Sequence, residues 1–140
     1  MGTLLNSSAA TRTALLNAVN QVGTCTNLSG AVGQLQAVVN QRASQYSQAS
    51  ALSTSALPTG PVLKSRLITV LGNSLKADRD YLTWANQQLN GGCAPFAQSS
   101  AYTAAHLENQ VADAAKQAFV QAWNPVAAEY GIEQNSAENI

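Results

Sequence analysis

The sequence predicts an all-α fold, an up-down-up-down four-helix bundle, on three observations. Apolar residues recur at three- and four-residue steps through four long segments, and no segment alternates with period two. Breakers gather between those segments. The two cysteines, Cys25 and Cys93, fall in the first and third links, which this topology brings to the same end of the bundle.

The first helix is read from Leu4 to Val22, with Leu5, Ala9, Leu15, Leu16, Val19 and Val22 on one face. Asn27 is placed to cap a second helix carrying Leu28, Val32, Leu35, Val38, Val39, Tyr46, Ala49 and Leu52. The run from Ser53 to Gly60, STSALPTG, then reads as a loop. Pro61 suits the first turn of a third helix, which continues through Leu63, Leu67, Val70, Leu71, Leu75, Tyr81, Leu82, Ala85 and Leu89 until Asn90-Gly91-Gly92 stops it. Ser99 or Ser100 caps a fourth, whose inner face holds Ala104, Ala105, Val111, Ala112, Ala115, Ala118, Phe119 and Ala122. Pro125 lacks a backbone donor and is expected to kink this helix or start a short new one. Residues 132–140, beyond Gly131, read as a frayed tail of the single domain spanning 1–140.

A chain of 140 residues has room for one core of ordinary size. Only 14 residues are charged, seven of each sign, while Asn, Gln, Ser and Thr fill 48 positions and Ala 25. Zero net charge without a Lys/Arg cluster leaves nothing to neutralise a row of phosphates or dock on anionic lipid, which argues against nucleic-acid and membrane-surface roles. The apolar runs are too short to cross a bilayer, so the segment is expected to be soluble. Met1-Gly2 is followed by no basic and apolar leader; it also fits the start of an excised piece, with a signal or anchor upstream.

Two cysteines are too few for a structural zinc site and lack the CxxC spacing of a redox pair. Placed in same-end links they are expected to form a disulfide, which persists only outside a reducing cytosol. The expected location is therefore extracytoplasmic. A di-metal site is excluded because the lone histidine, His106, has Glu108 two residues on, facing a different side of the helix. No Gly-x-Ser-x-Gly elbow, Walker loop, dinucleotide fingerprint, EF-hand or CxxCH motif occurs, so neither an enzyme nor a cofactor is expected. The sequons at Asn6 and Asn27 carry little weight in so Asn/Ser-rich a chain.

Two constellations remain as candidate sites. Arg12 stands seven residues after Leu5, Arg42 seven after Leu35, Asp78 between Leu71 and Ala85, and Glu108 between Ala101 and Ala115. Counted from the disulfide end at about 1.5 Å per residue, the four share one height, so Arg12 or Arg42 is expected to pair with Asp78 or Glu108 in a charged layer. The alternatives are four unrelated side chains reaching outward, or a polar ligand site at mid-bundle. The second constellation is Trp84, Trp123 and Tyr130, which either close the core at helix ends or line an aromatic groove for a partner or an apolar ligand.

The runs AFVQAWNPVAAEYG, which ends at Gly131, and KADRDYLTW, from Lys76 to Trp84, resemble segments of Ala/Ser/Gln-rich extracytoplasmic helical domains attached to actinobacterial membrane proteins. The resemblance covers most of the chain and implies location only. From the residues, the expected function is a non-catalytic extracytoplasmic module of the cell envelope for sensing or protein interaction. The alternative is a carrier holding a small apolar ligand between the helices.

Overall fold

Helix α1 (Gly2–Gly23) is followed by α2 (Leu28–Ala51), α3 (Gly60–Gly91) and α4 (Ser100–Glu129), and a short 3-10 turn spans Ala137–Asn139. The structure is a computed structural model describing residues 1–95 and 99–140, and no strand occurs among them. Short links make successive helices antiparallel neighbours, and the expected helical bundle is the observed architecture. Cys25 and Cys93 are bonded, with Cα atoms 5.8 Å apart, and staple the first and third links at one end. No described helix is long and apolar enough to cross a membrane.

Local chemistry sets most boundaries. Ser99 caps α4 by accepting the Tyr102 N–H at 3.2 Å, and Pro61 sits in the first turn of α3. At the other end of α3, Gly92 takes φ 77°, a left-handed conformation that glycine adopts without strain. Gly60 is required by close approach, since a Cβ there would collide with the Thr54 carbonyl of the turn that closes on it. Asn27 precedes α2 but is itself left-handed, φ 46°, and its side chain makes no capping bond. Pro125 neither ends α4 nor starts a new helix; α4 continues to Glu129, with Gly131 at φ 62° just beyond. Leu16, Tyr46, Leu89 and Val111, expected on inner stripes, are 39–56% exposed, because the inward stripe is narrower than the apolar pattern and these four lie on its flanks.

The core has two apolar halves. Toward the termini, Leu4, Leu5, Leu63, Leu67, Leu71, Phe119 and Trp123 pack together; toward the disulfide, Val22, Ala31, Leu35, Tyr81, Trp84 and Ala105 do. Between them lie buried polar side chains from three helices, Ser8, Thr11, Arg42, Gln45, Ser74 and Asp78.

Residues 132–140 are not frayed. The Trp123 indole N–H donates to the Glu133 carbonyl at 3.2 Å, and the Asn124 amide both donates to the Asn135 carbonyl and accepts its N–H, each at 2.9 Å. Ile140 is fully buried against the terminal half of the core. A buried isoleucine with three tethers behind it outweighs the polarity that makes this stretch read as a tail.

That fold-back fills part of a gap. Among the described residues no Cα of α1 comes within 8 Å of one in α4, whereas α1–α2, α2–α3 and α3–α4 all pack directly. The 3-10 turn contacts both α1 and α4. On the disulfide side of this turn the α1–α4 seam is spanned by side chains.

Candidate functional site

The polar layer is built around Arg42. Its Nε donates to Asp78 Oδ2 at 3.1 Å, and its Nη1 donates to Ser8 Oγ and to Gln45 Oε1 at 3.2 Å. Gln45 Nε2 in turn donates to Ser7 Oγ and Thr11 Oγ1, both at 2.9 Å. The two ionic side chains are only 2% and 1% exposed, so each depends on the other and on the surrounding hydroxyls and amide for what water would have supplied.

The expected layer is thus half present. Arg42 and Asp78 pair as foreseen, but Arg12 reaches Asp113, with Nη1 3.6 Å from Oδ1, and Glu108 joins no ion pair among the described residues. On α4 the layer is met by Asp113 and Lys116. At about 100° per residue, Glu108 lies about 80° around the helix from Lys116 and two turns away, which is why a seven-residue count from Ala101 selects the wrong residue. Lys116 is 3% exposed, and its Nζ lies 3.0 Å from Asp113 Oδ1. It occupies an inner position four residues after Ala112 and three before Phe119, a spacing that could have revealed it.

Electrostatics follow from burial. Desolvation raises the Asp78 carboxyl above its ordinary value, with Arg42 as the main opposing influence. Desolvation also lowers the Lys116 ammonium, against the hydrogen bond it donates to Asp113.

Arg12, Arg42, Ser74, Asp78, Tyr81 and Lys116 line one pocket of about 50 Å³ in the α1–α4 seam, walled on the α1 side by Leu15, Leu16 and Val19. Ser74 Oγ is buried there without a hydrogen-bond partner. In the sequence nothing distinguishes this serine from the other 12.

The three aromatic residues do not form one groove. Trp84 belongs to the disulfide half of the core, with its ring centroid 6.5 Å from Tyr81 and 4.8 Å from Tyr102. Chain direction separates it from Trp123, which sits near the opposite end of an antiparallel helix and stacks on Phe119 at 6.2 Å. Trp123 and the exposed Tyr130 do share a cleft of about 250 Å³ with Leu52, Leu57, Val126 and Ile132, beside the α2–α3 link. His106 is exposed on α4.

No protein family, no curated protein and no solved structure matches this chain.

Proposed function

We propose that the chain is a non-catalytic, extracytoplasmic helical bundle that acts as a sensing or protein-interaction module of the cell envelope, with the α1–α4 seam as its ligand-accessible side. The observation that supports it best is the seam. Three neighbouring helix pairs pack directly, while the fourth holds a polar pocket with buried charges at its wall. Buried ions add little net stability compared with apolar packing, so retaining them there suits recognition better than scaffolding. The Cys25–Cys93 bond supports the location, because it requires an oxidising environment.

A thermal-shift screen of the chain against amino acids, small carboxylates, polyols and inorganic ions tests the sensing side of this reading. At least one compound should raise the Tm saturably, and the rise should be lost on Lys116→Gln. A screen with no such compound would contradict it.

The carrier reading draws on the cleft beside Trp123 and Tyr130. It places the apolar ligand at the bundle end and not between the helices. In a Trp84→Phe background, n-hexanol should then change the Trp123 emission saturably, and Tyr130→Ala should abolish the change; a linear solvent-like response would remove this reading.

A further inference from the structure

We propose that the pocket in the α1–α4 seam binds a small monovalent oxyanion, of the size of formate, acetate or nitrate. The inference rests on reading the seam as the ligand-accessible side, and it names the class of ligand.

Charge points to an anion. Three cations, Arg12, Arg42 and Lys116, form ion pairs with two carboxylates, Asp78 and Asp113, which leaves one positive charge in excess; Glu138 lines the adjoining space with Arg12 and Asp113 but joins no ion pair among the described residues. Asp78 also lines the pocket, but Arg42 holds it at 3.1 Å, so the uncompensated charge belongs to Arg12 and Lys116, which share the oxygen of Asp113. An excess of one favours a monovalent ion over sulfate or a phosphate dianion.

Donors point to oxygen as the atom received. Lys116 carries three N–H donors and directs one to Asp113. Arg42 commits Nε and Nη1 and keeps Nη2. Ser74 Oγ, on a side chain 5% exposed, has no partner, although a buried hydroxyl left unpaired is costly. A carboxylate or nitrate accepts several such donors at once, in a site whose apolar wall of Leu15 and Val19 strengthens each bond.

Size sets the upper bound. One water needs roughly 10–15 Å³ of such space, so about 50 Å³ accepts an ion of three or four heavy atoms and not an extended ligand. Arg12 and Asp113, 23% and 46% exposed, stand at the solvent side and give the ion a way in.

The test is a thermal melt of the full chain at constant ionic strength, replacing sodium chloride with sodium formate, acetate or nitrate, with glycine and choline as controls. Ligand-efficiency limits allow an ion of three or four heavy atoms a Kd no tighter than about 0.05–0.5 mM, so the titration runs from there into the tens of millimolar. The expected result is a saturable rise in Tm with the oxyanions. Ser74→Ala and Lys116→Gln should each weaken binding at least tenfold, while Arg66→Gln, on an exposed arginine, should leave it unchanged. Ser74→Ala removes only an unpartnered hydroxyl and adds no atom to the pocket, which keeps the test decisive if Lys116→Gln does not fold. Melts that superpose on chloride, or a rise whose midpoint concentration is unchanged in Ser74→Ala, would overturn the proposal. A rise with glycine or choline alone, dependent on Lys116, would overturn the oxyanion assignment and leave the seam reading intact; no rise with any compound would remove both.

Discussion

Arg42 and Lys116 are both buried cations, yet their removal should act in opposite directions. Replacing Arg42 by Met strands Asp78 and leaves Ser8 and Gln45 without their donor, so it should cost about 3–5 kcal/mol in chemical denaturation. Lys116 has one partner, Asp113, which is 46% exposed and can be rehydrated. Lys116→Met should therefore stabilise the chain by about 1–3 kcal/mol at pH 7 while removing anion binding. The pH dependence fixes the sign. Burial lowers the folded-state pKa of Lys116 below 10.5, so its contribution is present above pH 10.5 and lost as pH falls through the folded value. The advantage of the Met variant should accordingly shrink toward zero as pH approaches 10.5. Asp78 behaves conversely: its folded pKa is raised above 3.8, so its contribution is full below pH 3.8 and lost as pH rises through the folded value. Denaturation midpoints of the wild type and Lys116→Met across this range would check both statements.

At the scale of elements, the four helices were legible because their apolar period is long and unbroken, and because Pro61, Gly92 and Ser99 punctuate it where the chemistry of helix ends requires. Less legible was what a local pattern does not encode. The register of α4 against α3 decides that Lys116 and not Glu108 meets the layer, and that register comes from packing across the bundle. The fold-back of residues 132–140 depends on Asn124 and Trp123 reaching Asn135 and Glu133, eleven and ten residues away. Ile140 offers a clear measurement of it. Ile140→Ala should cost about 2–5 kcal/mol, as expected of a fully buried isoleucine, whereas a frayed residue would cost almost nothing. Trp123→Ala, at 3% exposure, should cost about 3–5 kcal/mol by the same physics.

At the scale of the whole molecule, two constraints hold α1 and α4 in place without close approach of their backbones: the disulfide at one end and the folded-back residues toward the other. The bridge closes a separation of 68 residues, for which chain entropy gives about 4 kcal/mol. Cys25→Ser/Cys93→Ser should lose about that much while keeping its helical circular dichroism, because both apolar halves of the core remain. The seam that these constraints leave open is where buried charge, an unpartnered serine and free space coincide. Amide chemical-shift mapping with sodium acetate at constant ionic strength tests that coincidence most directly. Saturable shifts should concentrate in residues 12–19 of α1, 74–81 of α3 and 109–116 of α4, and need at least tenfold more acetate in Ser74→Ala. Shifts confined to an exposed cation outside these ranges, such as Arg66, or to the cleft around Tyr130, would contradict a ligand site in the seam.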